Sequence, residues 1–293
     1  MSVGSSLWYE YIDIIKLLVY CILYNYAFGF KMSSKINWLV SHTSPGSLVL
    51  QPWLLENDIS YSLAQKYTQS GWLKKLSSGV YYRPDPKHGK QPDWADAVQA
   101  LVEQLHLPIH ISGLSSLTHQ GLSHYLPMQS ESVWVGVRKK QSLPKWFREF
   151  PDQNWLYCSN NKLSELLEND FTTTLVDGRT LKVSKPELAA YEMVDSIGKH
   201  ISFEHAAELF QGLVNLSPRK VQSLLVRSQA VQTNRIFLFL SHYHDHQWAK
   251  HLDETQIELG SGKRQVVADG RYDERYKITV PDSLVSKQTP NYG

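Results

Sequence analysis

The chain has 293 residues, 42% hydrophobic and 20% charged, which excludes disorder and predicts about two folded domains. Net charge is only +2, but residues 35–90 hold seven Lys or Arg against three acids while residues 91–293 hold 21 against 23, an asymmetry that fits a small basic nucleic-acid reader joined to a different kind of body. The two cysteines, Cys21 and Cys158, show no paired spacing, which excludes a disulfide framework or a CxxC zinc finger and fits a reducing, cytoplasmic compartment.

Residues 11–30 form an apolar, aromatic-rich stretch with Leu17, Leu18, Val19, Ile22, Leu23 and Phe28. Its length approaches the ~20 residues of a membrane span, but Asp13, Lys16 and Asn25 interrupt it, and it lacks the small-residue cleavage site of a secretory signal. At Met32 the character changes to Met32-Ser33-Ser34-Lys35-Ile36-Asn37-Trp38, which reads as the start of a soluble protein. Residues 1–31 are therefore expected to be an upstream extension from a misassigned start. A membrane anchor, giving a membrane-tethered regulator, and a packed extra helix are the alternatives.

Residues 32–84 carry the order helix, short strand, helix, helix, hairpin. Ile36, Leu39 and Val40 have helical spacing, Ser44-Pro45-Gly46 breaks the helix, and residues 47–50 are short and apolar enough for a strand. A brief helix over 52–57 opens on Pro52, where a missing N–H costs little. Ser60 is the expected N-cap of a third helix reaching about residue 70, stopped by Gly71. On it Leu63, Ala64 and Tyr67 share one face, and Ser62, Gln65, Lys66 and Gln69 the other. Residues 72–76 and 79–83 read as two strands joined by a turn at Ser77-Ser78-Gly79.

This is the order of a winged helix-turn-helix. The polar face of the third helix suits a major groove, where a glutamine amide matches an adenine edge and a lysine a guanine edge or a phosphate. Lys74, Lys75 and Arg83 on the hairpin are placed to neutralise phosphates and set the register on double-stranded DNA. The seven candidate contacts are thus Ser62, Gln65, Lys66, Gln69, Lys74, Lys75 and Arg83; the bland alternative is an ordinary solvated helix face.

Residues 85–92, with Pro86, Gly89 and Pro92, read as a stiff polar linker. Residues 93–183 read as a mixed α/β domain. Asp93 caps a helix to about residue 105, strands cover 107–112, 132–137 and 155–158, and short helices cover 115–120 and 143–150. Residues 184–293 read as a mostly helical section. A capping box of Ser184 and Glu187 opens its first helix; further helices lie near 203–214, 218–228 and 233–241. Terminal strands are placed at 263–268 and 276–280, with Asp269-Gly270 as a turn. The fold class is therefore α+β. Trp38, Trp72, Trp94 and Trp134 sit in apolar patterns and are expected in cores.

Three clusters resemble catalytic sites. Ser241-His242-Tyr243-His244-Asp245-His246 offers zinc-type donors, and a metal-dependent hydrolase built on His242, His244, His246 and Asp245 is the competing function. Its spacing is one residue short of the metallo-β-lactamase pattern, and its neighbourhood looks helical, so surface or capping histidines are the better reading. Gly260-Ser261-Gly262-Lys263-Arg264 lacks the earlier Gly and the final Ser or Thr of a phosphate loop and reads as a turn into a strand. Ser115 and Ser116 near His119 lack the G-x-S-x-G surroundings of a nucleophile. No catalytic residue, cofactor or metal is assigned.

Ile59-Ser60-Tyr61-Ser62-Leu63-Ala64-Gln65-Lys66-Tyr67, Ser70-Gly71-Trp72-Leu73 and Gly79-Val80-Tyr81-Tyr82-Arg83-Pro84 are similar to the N-terminal domain of the AbiEi antitoxin family. Trp94-Ala95-Asp96-Ala97-Val98-Gln99-Ala100-Leu101, Leu107-Pro108-Ile109-His110-Ile111-Ser112-Gly113 and Gly121-Leu122-Ser123-His124-Tyr125-Leu126-Pro127 are similar to its second domain. Val183-Ser184-Lys185-Pro186-Glu187-Leu188-Ala189 resembles its helix-opening Ser-x-Pro-Glu segment. The resemblance spans most of residues 35–281, and residues 1–31 depart from it. It implies an antitoxin of a type IV toxin–antitoxin, or phage abortive infection, pair. Such a protein represses the shared promoter through its winged helix. It counters a nucleotidyltransferase toxin through its C-terminal part, without needing a stable complex.

Overall fold

A computed structural model describes residues 35–122, 132–138 and 141–285; the apolar stretch 11–30 and motif residues 123–127 lie outside them. The chain divides into two units, Met1–Pro92 and Asp93–Gly293, each taken by itself.

In the first unit α1 covers residues 35–42 and ends at the Pro45-Gly46 turn, with Gly46 at φ +86°. β1 (Leu48–Leu50) is buried along its length and runs straight into α2 (Gln51–Glu56), which carries Pro52 in its first turn. Asp58 takes a left-handed conformation between α2 and α3 (Tyr61–Gln69), one that Asp tolerates better than most residues. β2 (Lys74–Ser77) and β3 (Val80–Tyr82) form the hairpin, with Gly79 at φ +72° in its turn. The sheet order is β1-β3-β2, antiparallel throughout. Leu39, Val49, Leu54, Ile59, Ala64, Tyr67, Leu73 and Tyr81 form one apolar core, so all three helices bury a face against the same small sheet.

In the second unit Asp93 opens α4 (Trp94–Leu105): its side chain accepts from the Ala95 and Asp96 N–H groups, and Asp96 accepts from the Asp93 N–H. β4 (His110–Ile111), α5 (Gly113–His119), β5 (Val133–Val137), α6 (Lys145–Arg148) and β6 (Trp155–Ser159) come next. β7 (Phe171–Val176) and β8 (Arg179–Ser184) complete a five-stranded sheet of order β6-β5-β4-β8-β7. β4–β8 and β5–β6 are parallel pairs; β4–β5 and β7–β8 are antiparallel. The β7–β8 hairpin stands in a stretch where no strand was expected, although Asp177-Gly178, both at positive φ, is a strong two-residue hairpin signal.

Helices α7 (Pro186–Asp195), α8 (Phe203–Gln211), α9 (Pro218–Arg227) and α10 (Val231–Tyr243) bury a large common core. The expected capping box at α7 does not form. Lys185 is the cap residue and makes no side-chain cap bond, while Ser184 Oγ donates to Glu192 and Glu187 accepts from the Ser217 N–H. Pro186 supplies the physical reason, since it leaves one fewer N–H at the helix start to be answered. The final hairpin also differs. β10 (Ile278–Val280) pairs with β9 (Arg271–Asp273), and residues 263–268 contribute only an isolated bridge from Arg264 to Ile278.

Glu192 on α7 is 1% exposed. Its carboxylate accepts from His110 Nε2 and Asn160 Nδ2, both at 2.9 Å, from the Gly113 N–H at 2.9 Å and from Ser184 Oγ at 2.7 Å. Glu192→Ala strands four buried donors, and a loss of about 3–5 kcal/mol is expected in denaturant unfolding of the chain. Gly136→Ala, whose Cβ falls 2.1 Å from the His110 ring, is expected to cost about 1–3 kcal/mol in the same measurement.

Candidate nucleic-acid interface

α3 divides its nine residues between core and solvent. Ala64 and Tyr67 are buried and Leu63 packs beside them. Ser62, Gln65, Lys66 and Gln69 are all exposed, and their spacing of three and four puts them on one face. Ser60 stays extended and its Oγ accepts from the Leu63 N–H at 3.3 Å, which starts the helix where the sequence predicts. Gly71, at φ +80°, turns the chain out of it. The outcome is a short rod held from behind by apolar contacts, with amides, hydroxyls and an ammonium group facing water.

The hairpin adds Lys74 and Lys75, both exposed, opposite Tyr82 and Tyr81 in the ladder. Arg83 sits differently from the two lysines. Its Nη1 donates to the carbonyls of Val40, at 2.8 Å, and Thr43, which satisfies acceptors left open at the end of α1. This guanidinium joins α1 to the end of β3 rather than standing free on the hairpin. Trp72, expected in the core, is 49% exposed, whereas its neighbour Leu73 is fully buried. Trp72 falls in the turn after α3, where its N–H bonds to the Tyr67 carbonyl at 2.9 Å, so strand alternation does not govern it.

A family model described as "Transcriptional regulator, AbiEi antitoxin N-terminal domain" matches residues 32–128, and one described as "Transcriptional regulator, AbiEi antitoxin, Type IV TA system" matches residues 130–281. No curated protein matches the chain in sequence. Among solved structures, the chain is similar to the RV2827C protein from Mycobacterium tuberculosis, with a TM-score of 0.56 and 12% identity over 79% of this chain and 85% of that one. At that identity the likeness concerns the fold alone.

The enzyme-like clusters take structural places. Ser115 Oγ accepts from the Trp134 N–H, and Ser116 Oγ donates to the Ser184 carbonyl. Burial pushes the Cys158 thiol up to about 12, so it holds no thiolate near neutral pH. In the Gly260-Ser261-Gly262 loop the carbonyls of Gly260 and Gly262 accept from Arg235, which also donates to the carbonyls of Leu259 and Lys277.

In the histidine run, His242 Nδ1 bonds to the Leu238 carbonyl and the Tyr276 hydroxyl. His246, expected on the surface or at a cap, is 4% exposed; its Nε2 donates to the Phe210 carbonyl at 3.0 Å and its ring stacks on Trp248. Among the described residues no three His, Cys, Asp or Glu side chains converge as a metal site.

Burial holds His246 below the ordinary imidazole pKa, against the opposing pull of its carbonyl partner and Asp245. A histidine depressed in the fold stays neutral there while the unfolded chain takes up the proton. Its contribution is therefore complete above about pH 6.5, the unfolded value, and is lost as pH falls towards the folded one. Unfolding free energy measured by urea titration between pH 7.5 and 5 is expected to fall less steeply in His246→Gln than in the parent chain.

Proposed function

The chain belongs to the AbiEi antitoxin family of transcriptional regulators in type IV toxin–antitoxin systems, and from that premise we propose that its first unit is a winged-helix reader that represses its own promoter. The observation that carries this reading is the solvent face of α3. Ser62, Gln65, Lys66 and Gln69 stand exposed together, with Lys74 and Lys75 next along the chain on the hairpin.

In this reading α3 enters the major groove. Gln65 and Gln69 present paired donors and acceptors to adenine edges, and Lys66 reaches a guanine edge or a phosphate. Lys74 and Lys75 neutralise backbone phosphates and fix the register, releasing counterions and making affinity salt-dependent. Arg83 is left out of the contact set because its guanidinium already serves Val40 and Thr43. The unit from Asp93 onward opposes a nucleotidyltransferase toxin encoded alongside, without a lasting complex. That assignment rests on the match of residues 130–281 to the antitoxin family model. The protein acts by binding rather than by catalysis, in the compartment that holds the DNA.

Lys74→Ala combined with Lys75→Ala is expected to weaken promoter binding and to reduce the slope of log affinity against log salt by about two. Gln65→Ala is expected to relax preference at one base pair by ~1–3 kcal/mol. Fluorescence anisotropy on promoter duplexes at several salt concentrations measures both, and parental behaviour in both variants would reject this contact face. In toxin co-expression, a chain comprising residues 93–293 is expected to restore growth while leaving the promoter derepressed. Failure of that form beside rescue by the full chain would assign neutralisation to the first unit.

A further inference from the structure

Among the described residues eight large apolar side chains are exposed, and three of these fall between residues 55 and 72: Leu55 at 43%, Tyr61 at 63% and Trp72 at 49%. Tyr61 and Trp72 stand at the two ends of α3, bracketing the polar stripe. Tyr61 is the first residue of the helix and lies one turn ahead of Gln65, so the two share a side of it. Helical side chains lean towards the N-terminus, and the N-terminal residues of a recognition helix are those that reach base edges.

The apolar group on a major-groove base edge is the thymine C5-methyl. An exposed ring beside a glutamine amide therefore fits an A·T-containing step. We propose that Tyr61 is a specificity-determining residue, its ring packing on the methyl of a thymine next to the adenine that Gln65 contacts. This rests on the reading that α3 enters the major groove. The adjoining cations Lys66, Lys74 and Lys75 identify the occupant of the face as a polyanion rather than an apolar protein surface.

The test uses the full chain and duplexes of its own promoter, with thymidines replaced one at a time by deoxyuridine, which removes only the methyl. At one thymine the parent chain is expected to bind the deoxyuridine duplex about fourfold more weakly, the size of one buried methyl. Tyr61→Phe keeps that discrimination, and Tyr61→Ala binds both duplexes alike. A Tyr61→Ala chain that still discriminates at that thymine overturns the proposal, as does a parent chain indifferent at every thymine while the double lysine variant binds weakly. If Tyr61→Ala and the double lysine variant both bind the promoter as the parent does, the whole contact face is wrong.

Discussion

A carboxylate sealed from water must find every hydrogen-bond partner within the chain, and Glu192 does so with donors from four separate places. His110 comes from β4, Gly113 from the start of α5, Asn160 from the residue after β6 and Ser184 from the end of β8. The central strands of the sheet are thereby registered against α7 by directed bonds as well as by apolar packing. Buried polar networks of this kind tolerate little rearrangement, because each displaced donor becomes an unsatisfied one. The neighbouring sequence is shaped around the network. Gly136 leaves the volume that the His110 ring fills, and Gly113, at φ +45°, lets its N–H face the carboxylate with Trp134 close against its backbone.

Two arginines obey the same logic with the charge reversed. Arg235, 2% exposed, places its planar fork among the carbonyls of Leu259, Gly260, Gly262 and Lys277. Arg83 bridges Val40 and Thr43. In sequence Arg235 is one cation inside an apolar helix and Arg83 one more basic residue after a hairpin. What separates them from Lys74 and Lys75 is that a guanidinium can serve several carbonyls at once, whereas an ammonium on a flexible stem is a compact, strongly hydrated charge that stays readily in water.

Much of the first unit was legible because its signals are local. Ser60 caps α3 as expected, Gly71 ends it, and the split between Ala64 and Tyr67 inside and Ser62, Gln65, Lys66 and Gln69 outside comes from a period of 3.6 residues. Features that depend on distant partners were not legible. Ser184 and Glu187 have the spacing of a capping box, yet their side chains answer Glu192 and Ser217. His246 looked like one of several polar histidines, but Phe210 and Trp248 enclose it. The β7–β8 hairpin is a different kind of miss. Its Asp177-Gly178 turn is a local signal that stood in the sequence, and six ladder pairs extend from it.

The solvent face of α3 and the polar interior of the second unit use the same residue types to opposite ends. Inside, Glu192, His110, Asn160 and Ser184 are bonded to one another or to the backbone, so their identities are dictated by the fold. Outside, Gln65, Lys66 and Gln69 are positioned by Ala64 and Tyr67 on the reverse of the helix, and the core makes no demand on their chemistry. A face whose side chains can change without cost to the core is free to be matched to a particular base sequence. Under the proposed role of α3, the same scaffold can therefore carry different reading residues, with recognition altered on the outer side of one nine-residue helix while the inner side keeps its place.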